Sequence, residues 1–438
     1  MRLAIARWSG ATVVLFLLVA FLLIFPKGGL KVADIPVTFG YVLLGVVAWA
    51  AWVHNLAAGR AHRLTGRRAL VIFCLVPFQL VVLASVAANG VESVGFLISI
   101  IVSLAFLPFA LIGLLGPQVD RLNLETLFKL LRFGVLVVAL YGIFLFFYKL
   151  LSGHFLEIPY LTVNADDVGS LEDTKHIDRG GIFKLISTYN NGNIYGVCIL
   201  MLLPLYELVQ KSLSKRLVVK LSLVMTLSRT VWIGLLLYEI FSRAFLRRLS
   251  VRTVIGLLAA LLLGAGGVSL ALSLLATDTS WIFDPDLGGR ADLFSAPITM
   301  FPEVRFDGIT EIVYLSVAAE FGVIGLGAFL VAMLPPVILH LMRKVPLARS
   351  RYKRTLALSL WLYLMLALSD GALLYIPVMA FYWFIVALLL STNSPKRKEI
   401  PPAYHPASAV PDAEPWSPSP AHATELGEDA LTARATSS

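Results

Sequence analysis

The run LVVKLSLVMTLSRTVWIGLLLYEIF, from Leu217 to Phe241, decides the fold. It is apolar and long enough for one membrane crossing, yet Lys211, Lys215 and Arg216 precede it and Arg243, Arg247, Arg248 and Arg252 follow it. Basic residues collect in cytoplasmic loops. Two loops on one side of a membrane are joined only by an even number of crossings, so a single span is disfavoured and the run reads as a hairpin. Its turn falls near Thr226, Leu227, Ser228, Arg229 and Thr230, which puts Arg229 at or just inside the outer face. The first limb is short, as in a re-entrant or membrane-thinning segment.

The same reasoning extends outward. About 20 helical residues cross a hydrocarbon core of roughly 30 Å. Runs of that kind extend from Trp8 to Phe25, Ile35 to Val53, Ala69 to Ala88, Gly95 to Leu115, Phe133 to Leu151, Ile194 to Val209, Val254 to Ala276 and Ile309 to Leu341. The last is long enough to tilt or protrude. Further basic clusters at Arg60, Arg63, Arg67 and Arg68, and from Arg343 to Arg354, join the cytoplasmic side. Parity then makes Thr355 to Leu390 a second hairpin, broken at Ser369, Asp370, Gly371 and Pro377. The expectation is an all-α polytopic bundle of about twelve transmembrane helices over residues 1–392, with both termini cytoplasmic. Residues 393–438, rich in Pro, Ala, Ser and Glu, lack the apolar residues to build a core and read as a disordered cytoplasmic tail.

Composition points the same way. A chain of 438 residues that is 58% hydrophobic and 14% charged does not have the makings of a soluble surface. Its formal charge of +9 is accounted for by cytoplasmic loops, so no nucleic-acid partner is expected. Cys74 and Cys198, the only cysteines, sit in apolar runs and supply neither a disulfide framework nor a metal site. The first apolar run follows Arg2 and Arg7 like a signal peptide, but no small-residue cleavage site comes after it, and it reads as a retained span.

Two longer outer loops remain as places for chemistry, Ser152 to about Tyr189 and Thr277 to Gly308. Outside the cytoplasmic clusters arginine is scarce, and Arg179, Arg229, Arg290 and Arg305 fall where an outward-facing site would lie. A planar, permanently charged fork holds phosphate or pyrophosphate bidentately without a metal. The bland alternative pairs each with a nearby carboxylate such as Asp178 or Asp286, or lets it reach lipid headgroups. Arg229, between Leu227 and Trp232 in an apolar hairpin, needs a cavity, a polar partner or the interface. Asp307 and Glu311, four residues apart, are the candidate general bases, or else acids at the positive end of the following helix. Asp370 is a further, helix-break acid. His154 and His176 lack metal-ligand spacing, and the stretch from Asp166 to Asp173 lacks the Gly and alternation of a calcium loop, so no metal or cofactor is expected.

The order of these motifs resembles a known family. Arg179 is followed by the helix start Thr188, Tyr189, Asn190, Asn191, Gly192, Asn193; then comes the tip Thr226, Leu227, Ser228, Arg229. Gly289 and Arg290 precede Glu311, Ile312, Val313, Tyr314, Leu315, and then Ala319 to Gly325. Together they resemble the O-antigen ligase and O-antigen or exopolysaccharide polymerase superfamily. The resemblance implies a metal-independent, GT-C-like helical glycosyltransferase of the bacterial inner membrane, with its active site on the periplasmic face. It implies undecaprenyl-pyrophosphate-linked oligosaccharide as donor, the lipid bilayer as surroundings, and a chain-length regulator and a flippase as partners. Carried over to this chain, Arg179 and Arg290 are catalytic, Arg229 binds substrate, and Asn190, Asn193, Tyr314 and Asp307 line the site. The ligases of the family place a His and an Asn where Glu311 and Ile312 stand here. A carboxylate at that point fits the polymerase branch, with Glu311 orienting or deprotonating the acceptor hydroxyl. A ligase that transfers glycan to lipid A-core is the alternative, and a transporter of lipid-linked or anionic cargo is the rival from a different class.

Overall fold

A computed structural model describes residues 10–32, 35–57, 64–90, 94–169, 171, 178–179, 182–246, 298–301, 312–342, 347–393 and 395. The span expected at Val254 to Ala276, most of the second outer loop, and the C-terminal tail lie outside the described residues. What is described is mostly helical, with five stretches long and apolar enough to cross a membrane: Gly66–Ala88, Val94–Leu114, Leu124–Ser152, Gly192–Val209 and Val313–Met333. Leu15–Ile24, Phe39–Val53 and Ile376–Leu390 are shorter apolar helices.

The chain enters through α1 (Gly10–Ile24) and turns through two antiparallel strands, β1 (Gly29–Val32) and β2 (Ile35–Thr38), into α2 (Phe39–Ala57). Ile35 was expected to open a span, but Ile35, Pro36, Val37 and Thr38 are a β-branched stretch around a proline, and they pair with β1 before the helix begins. Next come α3 (Gly66–Phe73) and α4 (Val76–Asn89), broken at Cys74 and Leu75 ahead of Pro77. Helix α5 (Val94–Ile101) widens into π-helical turns at Val102–Phe106 and Phe109–Leu114 on either side of Pro108. The widened turns release backbone carbonyls that other helices satisfy: Trp383 Nε1 donates to Ser103 O at 2.7 Å and Gln79 Nε2 to Leu104 O at 3.1 Å.

After α6 (Gly116–Asp120), the long α7 (Leu124–Ser152) starts on an Asn123 cap and ends at the left-handed Gly153. Strands β3 (Asp178–Arg179) and β4 (Ile182–Phe183) lead to α8 (Gly192–Val209), nearly all of whose residues are buried. Leu217 to Phe241 folds as two antiparallel helices, α9 (Leu213–Val224) and α10 (Arg229–Leu246), meeting at a tip over 225–228. Then α11 (Val313–Met333) and α12 (Pro335–Leu341) occupy the run expected as one helix from Ile309 to Leu341. That run is broken at Pro335 and also at Gly322, where φ is 68°. There the segment 298–301 lies against the helix, with Val323 N donating to Thr299 O, and a Cβ on residue 322 would come within 2.8 Å of Met300 O. Glycine alone fits both conditions. Last are α13 (Leu347–Leu366) and α14 (Ile376–Leu390).

Arg216 and Arg243 lie toward one end of this bundle, away from the 225–228 tip. Lys220 pairs with Glu207 at 2.8 Å and with Glu239, Tyr238 Oη donates to Glu207 Oε2 at 2.6 Å, and Arg243 reaches Glu239 at 3.4 Å. Charges within apolar helices are held this way, mutually paired, and these fasten the α9/α10 hairpin to α8. Closer to that end, the buried Lys353 Nζ donates to Leu388 O at 2.6 Å, Ser391 O at 2.9 Å and Leu389 O at 3.2 Å, satisfying the last carbonyls of α14. Lys353→Met removes the donor that Leu389 O and Ser391 O share, while Leu388 O keeps Ser391 Oγ at 2.8 Å, and is expected to destabilise the protein by about 1–3 kcal/mol. Thermal unfolding in detergent checks this; an unshifted transition would show that water replaces the ammonium at no cost.

Candidate functional site

Three connections meet at the opposite end of the bundle: the segment 184–191 leading into α8, the 225–228 tip of the hairpin, and the 367–375 link between α13 and α14. Backbone and side-chain bonds join them. Leu185 N donates to Met225 O at 3.0 Å, Thr230 Oγ1 and Ser369 Oγ lie 2.7 Å apart, and Val313 N at the start of α11 donates to Ala367 O at 3.2 Å. Stretches distant in the chain thereby meet at one end of the bundle.

The approach to α8 is built by its asparagines, each in a different way. Asn190 takes the left-handed conformation, φ 57° and ψ 8°, which Asn tolerates better than most residues. Asn191 is extended and caps the helix, its Oδ1 accepting from Asn193 N at 2.8 Å and Ile194 N at 3.3 Å. Asn193 is buried and its Oδ1 accepts from Lys184 Nζ at 3.4 Å. Gly192 is needed between them, since a Cβ there would stand 2.8 Å from Leu185 O. Gly192→Val is expected to push the 185–225 joint apart and destabilise the protein by about 1–3 kcal/mol. Thermal unfolding in detergent tests it; an unshifted transition would show that the joint yields without cost.

Arg179 stands on β3, paired in register with Ile182 of β4. The strand pair is anchored from below by Lys149, whose ammonium lies 4.8 Å from the Phe155 ring centre and 5.1 Å from that of Phe183 and donates to Gly153 O. From Phe183 the chain passes directly to Lys184 and to Leu185, which holds the hairpin tip. Arg229, the first residue of α10, is half-buried beside the buried Ser228 and Thr230. Trp232 Nε1 closes the tip on Val224 O at 2.9 Å.

Four non-glycine residues at this end adopt positive φ: Ser187 (51°), Asn190 (57°), Leu227 (49°) and Ala372 (44°). One falls on the tip, one on the 367–375 link and two before α8. For Leu in particular this conformation is uncommon, and such strain gathers where ligands are held. Helices α8, α10, α11 and α14 all begin here, directing their positive ends toward the same surface. Lys27 lies 4.8 Å over the Tyr375 ring, and the buried Asp370 supplies negative charge. Burial holds the phenols of Tyr189 and Tyr375 well above the usual phenol range, so both stay neutral. Among the described residues, Thr188 Oγ1 and Tyr375 Oη are buried here with no hydrogen-bond partner.

Of the residues singled out from sequence, Arg179, Asn190, Asn193 and Arg229 come to this end. Arg290, Asp307 and Glu311 lie outside the described residues. Tyr314 turns inward: its hydroxyl donates to Leu364 O at 2.8 Å and its ring packs on Phe329, fastening α11 to α13. Lys184 and Lys149 were passed over, although lysine outside the basic clusters is as informative as arginine. Among the described residues, no three His, Cys, Asp or Glu side chains come together as a metal site. Comparison of the chain with protein-family models and with curated proteins gives no match.

Proposed function

We propose that the chain is a polysaccharide polymerase of the bacterial inner membrane. It transfers glycan from an undecaprenyl-pyrophosphate-linked donor to a lipid-linked oligosaccharide repeat unit at the periplasmic face. The observation that supports this reading most is the 3.0 Å bond from Leu185 N to Met225 O, which brings the strand pair of Arg179 and the tip of Arg229 to the same end of the bundle. An arginine on each of these two segments, at the end of the bundle where α8 and α10 begin, suits a pyrophosphate.

In this reading the acceptor hydroxyl oxygen attacks the anomeric carbon as the bond from that carbon to the pyrophosphate oxygen breaks. Arg179, Arg229 and Arg290 stabilise the charge gathering on the leaving undecaprenyl pyrophosphate. Glu311 takes the hydroxyl proton. Its sequence position, two residues before the Val313 tied to Ala367, is consistent with that role. The site needs no metal, and both termini lie in the cytoplasm.

Complementation of a deletion strain with Arg179→Ala, Arg290→Ala and Glu311→Ala, with membrane levels matched and surface glycan resolved by size, tests the reading. Surface glycan reduced to single repeat units supports a polymerase. Lipid-linked polymer accumulating unattached identifies a ligase instead, and normal long polymer from all three variants overturns the assigned chemistry.

A further inference from the structure

The stretch from Gly153 to Gly169, between α7 and β3, packs Val163, Phe155 and Leu156 inward and turns other apolar side chains outward. Several of its polar side chains bond within the loop. Thr162 Oγ1 accepts from Ile158 N at 2.8 Å, Glu157 Oε2 accepts from Gly169 N at 2.6 Å, and Asn164 Nδ2 donates to Asp167 Oδ2 at 3.2 Å. Thr162 and Asn164 are buried. Four of its apolar side chains face outward: Ile158 is 37% exposed, Tyr160 51%, Leu161 37% and Val168 54%. Tyr160 is held at φ 65°, an unfavourable backbone for a bulky residue, at the turn that presents these side chains.

The depth of this loop follows from α7. Glu125, Lys129 and Arg132 end its charged first turns, and from Phe133 to Leu151 only the buried Lys149 carries charge. Those 19 residues rise about 28 Å, close to the roughly 30 Å of hydrocarbon, so the loop begins at the membrane boundary. Along the same helix Phe144, Phe147, Leu150 and Leu151 are exposed apolar side chains that precede the loop.

We infer that this loop is a membrane foot, inserting Ile158, Tyr160, Leu161 and Val168 into the lipid headgroup and upper acyl region of the membrane that α7 crosses. Tyrosine with flanking aliphatic side chains suits that layer. The foot is tied to the body through the Gly29 to Asn164 bridge and the Tyr141 hydroxyl, which donates to Leu156 O at 3.3 Å. It therefore sets the strand pair of Arg179 beside the surface in which a lipid-linked substrate travels.

The test places the photoreactive residue benzoylphenylalanine at Tyr160 or Val168 of the full chain in native membranes, with Phe133 as a lipid-facing reference and the exposed Lys129 as a solvent reference. Phospholipid adducts, detected by mass spectrometry, are expected at both loop positions in yields matching Phe133 and severalfold above Lys129. Crosslinks to a second copy of the chain or to another protein, or adduct yields no higher than Lys129, overturn the inference. The readout is lipid contact and not turnover, so its result is independent of the polymerase reading.

Discussion

Arg229→Ala, purified in lipid and supplied with a lipid-pyrophosphate oligosaccharide, is expected to polymerise about 10²–10³-fold more slowly than the native chain, a loss of about 3–4 kcal/mol of transition-state stabilisation. In the proposed reaction the larger part of the loss falls in kcat, because the already anionic pyrophosphate gains a further charge as its bond to the sugar breaks. Arg229→Lys keeps the charge but not the planar fork, and falls between the two. The position is suited to the experiment: Arg229 opens α10 on a tip already secured by Trp232 and by the Leu185 to Met225 bond, so the variant retains its fold. Single-turnover kinetics with defined substrate measure it. A native rate would mean that Arg229 is an interfacial anchor and that the pyrophosphate lies elsewhere.

Glu311→Gln is the second large effect. If the carboxylate accepts the acceptor's proton, removing its basicity while keeping its shape lowers the rate about 10²–10⁴-fold, with donor affinity little changed. Separate measurement of donor binding and glycan transfer distinguishes this from loss of the site. An equal fall in donor affinity would assign Glu311 to binding. A deficit relieved by excess acceptor would make it an orienting group.

The sequence carried much of the architecture because charge counting and span length are coarse, cumulative signals. The basic clusters on either side of Leu217 to Phe241 required a turn, and the turn is found at 225–228. What it did not disclose depends on contacts between distant segments. Nothing near Gly322 announces a helix break; the cause is the 298–301 segment lying across it. The π-helical turns after Ile101 are stable only because Trp383 and Gln79 arrive from other helices to take the freed carbonyls.

The candidate site was legible in part for the same reason. Arg179 and Arg229 stood out by scarcity, and scarcity is a property of the chain alone. The distinct duties of Asn190, Asn191 and Asn193 are set by backbone angles and by a lysine nine residues away in sequence from the third of them. Tyr314, adjacent in sequence to a site-end residue, faces α13 because a helix turns each successive side chain by about 100°.

The short hairpin has a consequence for the membrane itself. Fourteen residues separate Arg243, at the end away from the tip, from Arg229, and a helix of that length rises only about 21 Å, against roughly 30 Å of hydrocarbon. Under the proposed orientation the tip does not reach the headgroups; it sits at the bottom of a shallow basin, or the bilayer dips to meet it. On the proposed function, acyl-chain length would then be a control on the reaction. Thicker bilayers would deepen the descent that a charged pyrophosphate must make to reach Arg229, and thinner ones would bring it level, so the composition of the host membrane would act as a rheostat on chain growth.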